Sequence, residues 1–327
     1  MAVVEIIFGC FEWIHAITVL EDRWLRAVDE EHVNTKFFSK AAKPDDRRGR
    51  LRKIAEETLD AIEEGSYTLK RTKHDLRTSV ALAKKKTQYY APDSLLSGWS
   101  ATPSPRPGWS ADTGISVLEV STLEGARLLS AVQQAGQVGA PPSRVGILNF
   151  ASATKPGGGF RNGAQAQEES IARSSTLYPT LTTSLSQTFY SVHERDRKDG
   201  FYTHAMIYSP GVIVFRDDDG GWVEPLDVDV LTSAAGKIET VMRERMARIL
   251  YLFEKQGVKS LVLGSFGTGV FRNNVGLVAN VWADLLVEPG ARFKTTFDHV
   301  VFAILGRATF EEFERVFEQR KATHSSA

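Results

Sequence analysis

A chain of 327 residues with 42% hydrophobic and 24% charged side chains has an ordinary globular composition, enough for one large α/β domain with an extension or two modest domains. Its 40 Lys/Arg balance 40 Asp/Glu, which excludes an overall electrostatic pull toward nucleic acid or a membrane surface. Cys10 is the single cysteine, so internal disulfides and a cysteine-built zinc site are excluded. That fits a reducing compartment, and a cytoplasmic location is expected, with the nucleus added for a eukaryotic source. The 7 histidines are scattered, with no HExxH-like pair, so no metal and no other cofactor is expected.

Met1 to Leu20 is apolar, but it lacks a basic start and carries Glu5, Glu12 and His15. It is too short and polar for a comfortable span and reads as a docking helix or a poorly defined leader; secretion is not expected. Glu21 to Ala42 is predicted to be helical in part, so residues 1–46 form a leader. A helix of clear amphipathic period follows, with Leu51, Ile54, Ala55, Leu59 and Ile62 on one face. Asp45 or Asp46 is positioned to cap it, and Gly65 to stop it. Lys36 to Lys86 holds an excess of Lys and Arg over Asp and Glu. Such an excess could face a polyanion, but more often it is a solvated helix face. Arg47 to Lys53 is only a weak nuclear-import candidate.

Gln88 to Tyr90 and Leu95-Leu96 read as short extended pieces, and Gly98 to Gly114, with Trp99 and Trp109, as a loop of low order. The α/β rhythm then begins: a strand at Ile115 to Val120, a helix at Thr122 to Ala135 closed by Gly136, and a strand at Val145 to Phe150. This last strand runs into Gly157, Gly158 and Gly159. A helix is expected to start at Gln167, Glu168 and Glu169, with Ile171, Ser174, Ser175 and Tyr178 along it. Glycines let the backbone approach a ligand and turn N–H groups toward phosphate oxygens.

Leu185 to Asp199 has no clear period. Ala205 to Phe215 is a strand broken at Pro210-Gly211, and Asp217 to Gly221 is a turn. Its three aspartates match no calcium loop and read as a solvated hairpin tip. Val223 to Ser233 is extended and Ile238 to Gln256 is a long helix. The strand Lys259 to Gly264 leads into a second glycine loop, Ser265 to Asn273. This loop fits neither a Walker motif nor a dinucleotide fingerprint. A helix at Asn274 to Leu286, a strand at Asp298 to Leu305 and a helix at Phe310 to Arg320 complete the chain, with 321–327 as a frayed end. The alternation predicts an α/β fold, a sheet covered by helices on both faces.

The segment from Leu148 through the three glycines and Gln167-Glu168-Glu169 to Tyr178 resembles the catalytic signature of the poly(ADP-ribose) glycohydrolase family, compact microbial type. Arg50 to Leu59 followed by Gly65-Ser66-Tyr67 is similar to that family's N-terminal helix, about a hundred residues away. Gly267 to Phe271 resembles the second phosphate loop of macrodomains. The resemblance covers roughly Arg47 to Phe317. It implies a macrodomain-like mixed sheet flanked by helices on both faces, with an N-terminal helical extension. The catalytic domain would span 47–320, with a macrodomain core at about 114–320.

The implied activity is hydrolysis of ribose–ribose bonds in poly(ADP-ribose), releasing ADP-ribose. Glu169 would be the acid/base and Glu168 would hold ribose hydroxyls, with Gln167 in support. Gly157, Gly158 and Gly159 would approach the diphosphate and terminal ribose. Gly267, Thr268, Gly269 and Val270 would wrap the diphosphate, and Phe271 would pack on the terminal ribose. Ser152 stands where binding macrodomains carry asparagine, so the ribose contact is reassigned to Asn149. Adjacent helical residues point about 100° apart, so the two glutamates must divide their labour. A reader that binds ADP-ribose without cleaving it, and a hydrolase of mono-ADP-ribosyl groups, are the alternatives; two acids at the helix start argue against the reader. ADP-ribosylated proteins are expected substrates, the protein is expected to be a monomer, and neither membrane nor direct nucleic-acid binding is expected.

Overall fold

The computed structural model describes residues 44–105, 111–136, 144–195, 202–236 and 239–325. Residues 1–43 of the expected leader and the tip of the Trp-rich loop lie outside the described residues, as do the side chains of Asp45 and Asp46. Helix α1 (Pro44–Glu64) opens on a proline, a residue whose missing N–H costs nothing in a first turn. Gly65, at φ +76, ends it, and the Gly65 N–H closes on Ala61 O at 3.0 Å. A hairpin, β1 (Ser66–Leu69) and β2 (Thr72–Asp75), and helix α2 (Arg77–Lys86) follow.

The main sheet has seven strands: β3 (Gln88–Tyr90), β4 (Gly114–Leu118), β5 (Val145–Phe150), β6 (Met206–Arg216), β7 (Trp222–Ser233), β8 (Ser260–Leu263) and β9 (His299–Ala303). They lie in the order β3-β6-β7-β5-β8-β9-β4. From β7 to β4 every pairing is parallel, while β3 and β6 add antiparallel strands at one edge. The sheet is mixed, as expected, although one of its strands, β3, precedes residue 114.

Strand periodicity splits the core in two. Leu148, Leu261, Leu263, Val300 and Phe302 face helices α7 (Glu239–Lys255), α8 (Val275–Leu286) and α9 (Arg307–Ser325). Val145, Ile147, Val262 and Val301 face α3 (Thr122–Gly136), α4 (Gln167–Ser174), α5 (Leu177–Leu181) and α6 (Ser184–Arg195). A strand buried on both faces must be apolar at successive positions, which is how β5, β8 and β9 read. Helix α1 adds two smaller contacts. Ala61 and Ile62 pack with Tyr67, Leu76 and Phe215, and Ala55 packs on Phe160 and Ala172 beside the first glycine loop. Among the described residues no helix is long and apolar enough to cross a membrane.

Several local expectations are corrected. Leu95-Leu96 is not extended but opens a 3-10 turn, Leu95–Ser100, in which only Leu96 is buried. The helix from Gln167 stops at Ser174. Ser175 bridges Val214, and the Thr176 N–H and hydroxyl exchange hydrogen bonds with Ile213 at 2.9 Å each. The backbone of β6 needs those partners, and the helix yields to it. Pro210-Gly211 does not break β6 but forms a bulge, where the Asp229 carboxylate accepts the Gly211 N–H at 3.1 Å and the Tyr208 hydroxyl at 2.5 Å. The polar stretch after Leu185 is helical, and α9 runs to Ser325 rather than fraying from 321.

Gly146 tests the packing of β5. A Cβ there would lie 2.6 Å from the Phe253 ring and 2.9 Å from Val258. Gly146→Ala is expected to cost about 1–3 kcal/mol by overpacking, read as a lower denaturant midpoint at an unchanged slope.

Candidate active site

Strands β5 and β8 are adjacent and parallel, with Val145 opposite Ser260 and Ile147 opposite Val262. Their C-terminal ends therefore open on one edge of the sheet, where ligands bind in open α/β folds. Both glycine loops start there and line one cleft of about 990 Å³, to which Gly158, Gly159, Gly267, Thr268, Gly269, Val270 and Phe271 all contribute. Val120, Ser121, Ala303 and Leu305, from the ends of β4 and β9, extend it to the side, and Arg47 and Leu51 of α1 reach it as well.

Glu168 and Glu169 occupy the first turn of α4 and are only 2% and 9% exposed. Glu168 accepts the Ser152 N–H at 2.6 Å and the Asn149 amide at 3.4 Å. Glu169 accepts the Gly159 N–H at 2.8 Å through Oε1, while its buried Oε2 has no hydrogen-bond partner among the described residues. Gly158, at φ +59, lies against both: a Cβ there would fall 2.3 Å from Glu169 Oε1 and 3.1 Å from Glu168 Oε2. Gln167 locks the helix to the strand, its amide donating to Leu148 O at 2.7 Å and accepting the Phe150 N–H at 2.8 Å.

Burial pushes the Glu168 carboxyl up to about 8, against the pull of the Ser152 and Asn149 hydrogen bonds, and the Glu169 charge pushes the same way. Arg173, buried under the loop, donates to Ala164 O at 2.5 Å. Burial lowers its pKa, while Glu169 and Asp218 hold it up. Its backbone carbonyl takes the Thr58 hydroxyl at 2.6 Å, which fastens α1 to the site.

Three sequence expectations change here. Asn149 is fully buried and bonded to Glu168 and Thr232, set behind the glutamates rather than on the cleft wall. Inward-pointing residues of a central strand meet the covering helix, not the ligand. The N–H groups of the three glycines have partners inside the protein: the Gly157 N–H is turned to Glu168, the Gly158 N–H returns to Lys155 O at 2.9 Å and the Gly159 N–H serves Glu169. The carboxyl groups at the helix start are the nearest acceptors for the Gly157 and Gly159 N–H groups. The aspartate turn is no mere solvated tip, because Asp218 accepts the Ser121 and Ser170 hydroxyls, the latter at 2.9 Å, and faces the cleft.

The second loop is laid out differently. Gly267, at φ +84, would place a Cβ 2.7 Å from the Asn273 amide and 2.9 Å from Ala235. Val270 is 89% exposed, and the half-buried Phe271 ring meets Tyr202 edge-on at 5.7 Å. The Asn273 amide donates to Gly236 O at 2.8 Å, tying the loop to the end of β7.

A family model described as the catalytic domain of microbial-type PARG matches residues 55–217. The poly(ADP-ribose) glycohydrolase from Thermomonospora curvata is 39% identical, with a TM-score of 0.73 over 83% of this chain and 98% of its own. This chain belongs to the microbial-type poly(ADP-ribose) glycohydrolase family. The Thermomonospora structure with the inhibitor ADP-HPD matches with a TM-score of 0.71 at 38% identity, covering 83% of this chain and 98% of that one. The poly(ADP-ribose) glycohydrolase from Deinococcus radiodurans in complex with ADP-ribose is 32% identical, with a TM-score of 0.64 over 73% of this chain and 97% of its own. No curated protein matches the sequence.

Sequence reasoning missed Ser152, Thr122, Arg173, Tyr202 and Asp218 as parts of this glycohydrolase-family site. Ser152 acts through its backbone and Thr122 only as a partner of the Gln167 amide, at 3.2 Å. Arg173 was open to detection, because it lies four residues after Glu169 and so on the same face of the helix.

Gly158→Ala is expected to displace both carboxylates and lower turnover on the order of a hundredfold while the far-ultraviolet circular dichroism stays parental. A second expectation follows from Glu168. A carboxyl whose folded pKa is raised from 4.5 to about 8 favours the fold at low pH and loses that contribution as pH rises between those values. Glu168→Gln, always neutral, should flatten the fall in stability across that window, measured as denaturant midpoints against pH.

Proposed function

We propose that this chain is a glycosidase that hydrolyses the ribose–ribose O-glycosidic bonds of poly(ADP-ribose), releasing ADP-ribose, with Glu169 as the single acid/base group. Family membership supports the reaction, and the relatives bound to ADP-ribose and to ADP-HPD support the ligand class. The observation that carries the mechanism is the Glu169 carboxylate, in a residue that lines the cleft: one oxygen is held by the Gly159 N–H, and the other has no partner among the described residues.

Protonated Glu169 donates its proton to the bridging oxygen as the bond to the anomeric carbon breaks, and the departing ribose leaves as an alcohol. The anomeric centre passes through an oxocarbenium-like state, next to the negative charge of the diphosphate. A water then adds to that carbon, and the Glu169 carboxylate takes its proton, which restores the acid. Glu168, neutral by burial, orients ribose hydroxyls. The backbone of Gly267, Thr268, Gly269 and Val270 wraps the diphosphate, and Phe271 packs on the terminal ribose. Glu168 and Glu169 approach from one helix end and so do not flank the bond as in ordinary glycosidases; a single acid suffices because the bond breaks through the oxocarbenium-like state.

The catalytic unit spans residues 47–320 and works as a monomer, with no metal, no other cofactor and no direct grip on nucleic acid. ADP-ribosylated proteins carry the polymer it acts on, and the cytoplasm is its proposed location, in keeping with the single cysteine.

Glu169→Gln keeps the side chain's shape and removes its proton transfer. Release of ADP-ribose from poly(ADP-ribose) should fall by roughly 10²–10⁴ or more, with ADP-ribose affinity within a few-fold of the parent. Parental cleavage by that variant would refute the assignment. Activity should also survive exhaustive chelation, and a loss restored by magnesium would point to a different chemistry.

A further inference from the structure

Arg245, on α7, has an environment unlike that of the other buried arginines. Arg216 pairs with Glu57 and Arg248 with Glu244, and Arg173 lies near Glu169 and Asp218. Arg245 is fully buried and has no carboxylate in salt-bridge reach among the described residues. Its guanidinium donates to backbone carbonyls, Ala234 O at 2.6 Å through Nη1 and Tyr202 O through Nη2, while Nε has no partner among the described residues. Burial pulls its pKa down to about 10, with the Arg248 charge adding to the effect. The neighbouring His204 is held neutral, its pKa lowered to about 4 by burial first and by Arg245 second. A buried cation without an anion is costly, so its place in the fold calls for a reason.

Both of its anchors belong to the cleft. Tyr202 lines the cleft and stands edge-on to Phe271, and Ala234 precedes Ala235, another lining residue. The guanidinium Nη1 lies 3.2 Å from where a Gly236 Cβ would be, and the Gly236 carbonyl accepts the Asn273 amide that abuts Gly267. The charge therefore sits directly behind the second glycine loop, separated from it by the end of β7.

We propose that Arg245 is a positioning residue for the diphosphate-binding half of the cleft, clamping Tyr202 and the end of β7 behind the second glycine loop and lending that loop an uncompensated positive charge that a bound diphosphate neutralises. This rests on the ligand class proposed above. The guanidinium touches no substrate; it acts through the backbone it holds and through its field, which in a dry interior is weakly screened.

The test compares ADP-ribose with adenosine, which shares the base and ribose but carries no phosphate. Dissociation constants for both would be measured by ligand-observed magnetic resonance on the full chain and on Arg245→Met, Arg245→Gln and Arg245→Lys. The neutral variants should bind ADP-ribose roughly tenfold or more weakly and bind adenosine within twofold of the parent. In turnover they should raise KM more than they lower kcat. Arg245→Lys, which keeps the charge, should retain most of the parental preference for ADP-ribose over adenosine. A merely structural arginine would weaken both ligands alike, and that result overturns the proposal, as does unchanged ADP-ribose affinity in a folded neutral variant. If neither neutral variant folds, the lysine variant decides: loss of the parental preference overturns the proposal, and its retention supports it. A parent that binds no ADP-ribose overturns the functional reading and this one together, whereas a binding parent with indifferent variants overturns this one alone.

Discussion

The capture of two adjacent carboxylates by the backbone of a glycine loop is the interaction on which the rest of the site depends. Glu168 and Glu169 both lose hydration at the base of a cleft; burial keeps Glu168 neutral, and dense hydrogen bonding makes the placement of two adjacent carboxyl groups tolerable. Ser152, Gly157 and Gly159 supply N–H donors, the α4 N-terminus adds its dipole, and Asn149 closes the set from behind. Gly158 supplies nothing except the absence of a side chain, and with 2.3 Å between its missing Cβ and a glutamate oxygen that absence is essential.

The same constraint explains why elements far from α4 in sequence are built against it. Helix α1 reaches the carbonyl of Arg173 through Thr58, and its Arg48 holds Asn162 O at 3.0 Å while packing under Gly163. Gln167 ties the helix start to the last residues of β5, and β6 takes the backbone of Ser175 and Thr176 where the helix ends. A short helix of 8 residues is marginal by itself, and these three attachments supply what local propensity lacks. The N-terminal helix is thus part of the active-site scaffold and not an appendage to it.

Much of this was legible in the sequence because the signals were local. The alternation of strand and helix from Ile115 onward, the continuous apolar run of β5 and the two loops after β5 and β8 can be read from periodicity and glycine placement. The triplet at Gln167 announces two acids at a helix start. What escaped reading depends on partners distant in sequence. The end of α4 at Ser174 is dictated by β6, and the bulge at Pro210-Gly211 is completed by Asp229. The expected ribose contact of Asn149 rests on Ser152 standing where binding macrodomains carry asparagine, but strand alternation turns Asn149 under α4. Glycine loops often turn N–H groups to a phosphate, and sequence alone does not show that here the protein's own carboxyl groups take two of them.

That last difference separates the two halves of the cleft. The first loop is saturated by its own glutamates, so its conformation is set before any ligand arrives, as proton transfer at a fixed distance demands. The second loop presents an exposed Val270 and a half-buried Phe271 leaning on Tyr202, and its bracing comes from behind, through Asn273, Gly236 and the end of β7. A ligand with a sugar at one end and a diphosphate in the middle would then meet a half saturated from within and a half braced from behind. In the mechanism proposed above, binding energy gathered at the second loop would hold the glycosidic bond against the first, so that a single carboxylate could serve where two usually share the work.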